Sequence, residues 1–260
     1  MMPSLDAFTY PLISLQETDS TNRYLSHICN EQPETVAEFT TVAAEFQTAG
    51  KGQRGNSWEA SEGKNLLFSF VLYPVFLEAR RQFILSQIVS LSIKEELDQW
   101  VSDVTIKWPN DIYWKDKKIC GILIENNLSG HFIGRSISGI GININQEEFH
   151  SDAPNPVSLK QITGQEYDRQ IILDGVMSRI KKYYDLLQTD EAAASTLIST
   201  NYGLHLFRRE GIHHYEDSGG RFRAFLECVE SDGRLVLKDE TGCIRKYLFK
   251  EVRYIGNFPS

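Results

Sequence analysis

The run Asn65 to Tyr73 constrains this chain more than any other stretch. Leu66, Phe68, Phe70 and Leu72 fall on one face of an extended strand, and Leu67, Val71 and Tyr73 on the other. Successive strand side chains point to opposite faces, so apolar residues on both mark a buried strand. Helix follows it. Across Arg81 to Trp100, Ile84, Ile88 and Leu91 recur at helical spacing, with Leu85, Val89, Ile93 and Leu97 beside them.

Around this centre, strands are predicted at Thr40 to Phe46, Val104 to Trp108, Lys118 to Glu125 and Phe132 to Asn145, with Lys115 to Lys118 as a hairpin turn. Asp19 or Ser20 is placed to cap a short helix carrying Leu25 and Ile28. Ser151 to Gln165, with its prolines, reads as loop. Asp168 to Leu187 reads as a long helix with Ile172, Val176, Ile180, Tyr183 and Leu187 as its stripe, and a third helix runs from Asp190 to near Asn201. Beyond His205 the pattern changes to short apolar stretches separated by Ser218-Gly-Gly220, Asp232-Gly233 and Thr241-Gly242, which are hairpin signals. Strands are expected at Phe222 to Val229, Leu235 to Lys238 and Cys243 to Phe249, forming a small β-barrel. The expected division is residues 1–203 and 204–260.

Composition narrows the function classes. At 260 residues the chain is long enough to bury a sizeable core. No apolar run approaches the roughly 20 residues that span a bilayer, and Met1 to Tyr10 lacks a signal-peptide pattern. A cytoplasmic enzyme is the expectation. A net charge of −8 gives no basic footprint for nucleic acid. Cys29, Cys120, Cys228 and Cys243 form no CxxC pair, and the histidines show no ligand spacing, so neither a metal site nor a disulfide framework is expected. His213 and His214 read as loop residues.

Four segments carry candidate chemistry. In Gln47 to Trp58, Gly50, Gly52 and Gly55 match GxGxxG, but a strand follows where a dinucleotide fold needs a helix. The loop is either a surface turn with two cations or a ligand loop, whose glycines admit close approach while Lys51 and Arg54 meet an anion. Lys107-Trp-Pro-Asn-Asp111 ends a strand on two short polar side chains, Asn110 and Asp111; the same residues also make a good turn. Lys117-Lys118-Ile-Cys-Gly121 offers either solvated lysines on a hairpin or one lysine reaching into a pocket. Ser138-Gly-Ile-Gly-Ile-Asn-Ile-Asn145 fits a plain strand, or one that a ligand approaches closely with Asn143 facing it.

In this order, Ser20-Thr21-Asn22, the loop with Trp58, KWPND with Lys118 and Gly121, and GIGIN closely resemble the biotin–protein ligase family, over about Asp19 to Asn145. The tail is similar in pattern to that family's C-terminal SH3-like barrel. The resemblance implies an α+β fold, a mixed sheet flanked by helices related to class II aminoacyl-tRNA synthetases. It also implies formation of biotinyl-5′-AMP from biotin and ATP, and transfer of biotin to a lysine of a biotin carboxyl carrier protein domain. Lipoate–protein ligase, with the same fold and chemistry, and a scaffold without turnover are the alternatives; KWPND with the Ile-Leu-Ile-Glu125 strand favours the biotin branch.

The resemblance places Ser20, Thr21 and Gln47 at the biotin ureido end with backbone at Lys51, and makes Asn22 a further binding candidate. Gly121 and Gly139 line the pocket, and Trp58 and Asn143 face adenine. Lys118 contacts carboxylate and phosphate, with Asn110 and Lys51 beside it as catalytic candidates and Asp111, Gly50, Gly52, Gln53 and Arg54 as binding candidates. Mg²⁺ is expected to enter with ATP. Lys51 and Gln53 stand where the family more usually has arginines. Gly50 to Gly63 is expected to be mobile without ligand and to order over the adenylate. Only Met1 to Asp19 precedes Ser20, so the DNA-binding domain of some relatives is expected to be missing. No membrane partner is expected, and a homodimer is left open.

Overall fold

The structure is a computed structural model that describes residues 8–50, 52, 57–151 and 155–256. Its main sheet has seven strands: β1 (Leu12–Thr18), β2 (Thr41–Gln47), β3 (Leu66–Leu72), β4 (Val104–Lys107), β5 (Asp111–Trp114), β6 (Lys117–Ser129) and β7 (Phe132–Ile142). Their order is β1-β2-β3-β7-β6-β5-β4. Only β1 and β2 pair in parallel, which makes the sheet mixed. Every residue of β3 is buried, as its two apolar faces require.

The two faces of β3 meet different partners. Phe68, Phe70 and Leu72 join one large core with Ile88 and Leu91 of α2 (Phe83–Leu97) and Ile172, Val176 and Ile180 of α4 (Arg169–Thr189). Val71 belongs to a smaller cluster on the opposite face, with Val42, Ile137, and Leu25 and Cys29 of α1 (Thr21–Glu31). The α1 face is also the one on which the functional cleft opens.

Several expectations need correction. Ser20 holds the N-cap position of α1, but neither it nor Asp19 makes a side-chain cap; Asp19 Oδ1 instead accepts from the Ser20 N–H at 2.6 Å. KWPND does end a strand, β4, and its Trp108-Pro109-Asn110 is also the tight turn of a β4–β5 hairpin, with a cis Trp108–Pro109 peptide. Within the expected Lys115–Lys118 turn, Lys117 and Lys118 already belong to β6. The Ser151–Gln165 stretch contains α3 (Leu159–Thr163), opened by a capping box between Ser158 and Gln161. The third helix, α5, spans Glu191–Leu204, so the expected division at 203/204 falls on its last turn.

The tail is a five-stranded antiparallel sheet of β8 (His213–Asp217), β9 (Gly220–Val229), β10 (Leu235–Asp239), β11 (Ile244–Tyr247) and β12 (Arg253–Tyr254), ordered β11-β10-β9-β8-β12. His213 and His214 lie on β8, not in a loop. The tail docks on the β4–β5 hairpin. The Trp108 indole N–H donates to the Gly233 carbonyl at 2.8 Å, and its ring meets Phe249. No helix among the described residues is long and apolar enough to cross a membrane.

Candidate active site

The cleft follows from strand alternation. Along β7 and just past its end, Ile140 and Ile142 point into the large core, so Gly139, Gly141 and Asn143 fall on the other face. Gly121 of β6 is the cross-strand partner of Gly141. Bare backbone therefore forms the floor of a cavity of about 800 Å³.

Each glycine makes room for a particular group. A Cβ on Gly139 would stand 2.2 Å from Asn22 Oδ1. One on Gly121 or Gly141 would come within 2.7 or 2.5 Å of the Trp58 indole. The indole covers this two-glycine patch.

A polar chain closes one end. Gln47 Oε1 accepts from the Thr21 N–H at 2.8 Å. The Ser69 hydroxyl lies 2.7 Å from Thr21 Oγ1 and 2.6 Å from Asn22 Oδ1. Asn22 Nδ2 donates to Glu125 Oε2 at 2.8 Å. Ser20, Thr21, Asn22 and Ser69 are all at least nine-tenths buried, so these groups are aligned by one another rather than by water. Amide and hydroxyl groups held in this way suit a neutral ligand that both donates and accepts.

The cationic part lies beside Trp58. Lys118 Nζ is 2.7 Å from Asp111 Oδ1 and 5.8 Å from the Trp58 ring centre. Its strand start is pinned by its N–H to Asn155 and by its carbonyl to the Val157 N–H. The ammonium is partly exposed and available to an anion entering the cleft. Asn110 lines the cleft and donates to the Ile122 carbonyl at 3.3 Å. Asn143 lines it too, with its amide donated to the Val157 carbonyl at 3.2 Å. Lys107, the first residue of KWPND, turns elsewhere. Its ammonium donates to Tyr113 Oη at 3.0 Å and lies over the rings of Tyr113 and Tyr254. Burial pushes its pKa down, against the pull of Asp111.

Most expected site residues therefore meet in one place. Gly52 lines the cleft, whereas Gly50 stands behind it, its carbonyl accepting the Trp58 N–H at 3.0 Å. Lys51, Gln53 and Arg54 lie outside the described residues, as does part of the expected Gly50–Gly63 loop. Gly141, Glu59 and Phe249 line the site without having been expected there, and buried Ser69 supports it from behind through Thr21 and Asn22. Gly141 was legible as the second glycine of GIGIN. Nothing in the sequence marks Ser69 or Phe249, because one acts only through Thr21 and Asn22 and the other reaches the cleft from the distant tail. Among the described residues, no group of three or more His, Cys, Asp or Glu side chains could hold a metal ion.

Sheet order, flanking helices and the glycine-floored cleft define an α+β domain of the class II aminoacyl-tRNA synthetase type, joined to a small antiparallel β-sheet. Residues 14–143 match the biotin/lipoate A/B protein ligase family. The chain belongs to that family. Among its relatives is the bifunctional ligase/repressor BirA of Bacillus subtilis, 30% identical over 81% of this chain and 65% of that protein. A second is the biotin–[acetyl-CoA-carboxylase] ligase of Paracoccus denitrificans, 28% identical over 88% of this chain and 94% of the relative. The biotin protein ligase of Aquifex aeolicus, solved in complex with biotin and ATP, superposes with a TM-score of 0.76 at 28% identity, covering 94% of this chain and 99% of that one. The chain thus spans about two thirds of the length of the Bacillus subtilis protein and nearly all of the other two.

Proposed function

We propose that this protein is an ATP-dependent biotin–protein ligase working in two steps at one cleft. In the first, a biotin carboxylate oxygen attacks the α-phosphorus of ATP. The bond to the β-phosphate oxygen breaks, and pyrophosphate leaves with biotinyl-5′-AMP held in place. In the second, the amine of a carrier-domain lysine attacks the acyl carbon. An amide forms, AMP leaves, and the amine loses a proton.

The observation that carries this reading is Lys118, set beside Trp58 on a floor without side chains. A carboxylate and a polyphosphate repel each other, and an ammonium between them offsets that repulsion. It also stabilises charge growing on the phosphoryl oxygens in the transition state. Asp111 holds the ammonium in place until an anion takes it over. The Gln47–Thr21–Ser69–Asn22 chain fits the ureido group of biotin, which donates and accepts in one plane. Trp58 offers an aromatic face to adenine, and Asn143 lies at the same end. Mg²⁺ enters as part of the nucleotide substrate, bound mostly by phosphate oxygens and water.

The test is transfer of labelled biotin to a biotin carboxyl carrier domain. Incorporation that depends on both ATP and Mg²⁺ is expected. Pyrophosphate exchange driven by lipoate but not by biotin would move the protein to the other branch of its family.

A further inference from the structure

We propose that Glu59 is a positioning residue that fastens the 149–151 segment over the nucleotide end of the cleft; the assignment of that end rests on the ligase reading above. Glu59 follows Trp58 directly. Its two carboxylate oxygens accept from two successive backbone N–H groups of the 149–151 segment, Oε1 from His150 and Oε2 from Ser151, each at 2.7 Å. Two short hydrogen bonds to one carboxylate form a charge-assisted, directional clamp. Burial works against the charge. The Ser151 hydroxyl and the two N–H groups outweigh it and hold the carboxyl below its usual range.

The clamp joins parts of the chain that are far apart in sequence, across 91 and 92 residues. Trp58 lies on the glycine floor, and Phe149 and Ser151 line the same cleft. A second tie runs parallel to it: Gln146 Oε1 accepts from the Ser61 N–H at 2.9 Å and from Asn65 Nδ2 at 2.6 Å. Gln146 is buried and Glu59 only partly so. The Gln146 tie therefore anchors the base of the segment, and Glu59 governs its outer part. Because the backbone of two residues supplies donors, the contact rests chiefly on the residue at 59, with the Ser151 hydroxyl and the His150 charge adding to it. The consequence is specific. Glu59 sets the width of the cleft at Trp58, where the nucleotide lies, and leaves the Gln47–Thr21 end untouched.

Glu59→Ala and Glu59→Gln in the full chain test this with two readouts. The first is hydrogen–deuterium exchange of a peptide covering 146–151, which requires no turnover. The second is biotin-dependent ATP–pyrophosphate exchange, resolved into KM for ATP, KM for biotin and kcat. In Glu59→Ala, exchange at His150 and Ser151 should speed up. Its KM for ATP should rise about tenfold while the other two constants stay within about twofold. Glu59→Gln keeps one acceptor and should fall between. Unchanged exchange at 150–151 overturns the proposal, and so does an equal rise in both KM values or an unchanged KM for ATP. Failure of the wild-type protein to use biotin would instead strike the ligase reading, while the exchange measurement would still report on the clamp.

Discussion

Replacing Lys118 with alanine removes the only ammonium that the described cleft places beside Trp58 and leaves Asp111 without its 2.7 Å partner. The rate of biotin-dependent ATP–pyrophosphate exchange should fall by about 10²–10³-fold, the scale of one lost electrostatic contact to a transition state. Full retention of exchange would remove Lys118 from its catalytic role. Gly139→Ala acts on the other substrate. The new Cβ would collide with Asn22 Oδ1 and pull Asn22 away from Ser69 and Glu125. KM for biotin should rise more than KM for ATP, and urea unfolding should show a loss of about 1–3 kcal/mol, typical of overpacking. At this scale the sequence was informative wherever function uses short motifs. Ser20-Thr-Asn22 at the start of α1, the Pro-Asn-Asp of KWPND, Lys118 and the GIGIN glycines all line the cleft. Ser69 was hidden because a lone serine on a strand otherwise apolar on both faces reads as one more buried position.

The strands and helices were legible in proportion to their burial. β3 and α4 carry patterns long enough to count, and both are where the pattern puts them. β1 passed unnoticed because it is an edge strand, mostly exposed or half-buried, so its residues need not alternate strongly. α3 is five residues long, too short to show a helical period. Its start was nonetheless written in the chain, since Ser158 followed three places later by Gln161 is a capping-box pattern. That short helix matters to the site, because the Leu159 N–H donates to the Asn143 carbonyl at 3.0 Å. Ser158→Ala should cost about 0.5–2 kcal/mol in urea unfolding. It should also raise KM for ATP more than KM for biotin, since the loosened turn bears on Asn143.

At the scale of the whole molecule, stability depends on charges far from the cleft. Asp239 in the tail accepts from the Thr241 hydroxyl, the Arg245 guanidinium and the Cys243 N–H. With the Thr241 hydrogen bond as the largest contribution, and against the effect of burial, its carboxyl is held down at about 2. A carboxyl depressed in the folded state stabilises the protein above its unfolded value of about 3.9. That stabilisation is lost as pH falls through the folded value. Asp239→Asn should therefore lower the melting temperature at neutral pH, and the gap to the wild type should narrow between about pH 4 and pH 2. A gap that does not change with pH would assign the effect to packing. The hairpin character of the tail could be read from Asp232-Gly233 and Thr241-Gly242, but β8 and β12 could not, one carrying two histidines and the other only two residues long.

The junction between the two sheets also bears on how such chains diverge. Trp108 is held by a carbonyl of the main chain, an acceptor that every amino acid supplies. The demand on sequence falls on position 233 itself, where the backbone has a φ of +90° and a Cβ would stand 2.8 Å from the Phe83 ring. A tail grafted from a distant relative should thus be accepted by this hairpin if it brings a glycine to that turn and aromatic rings where Phe249 meets Trp108 and Tyr254 lies under Lys107.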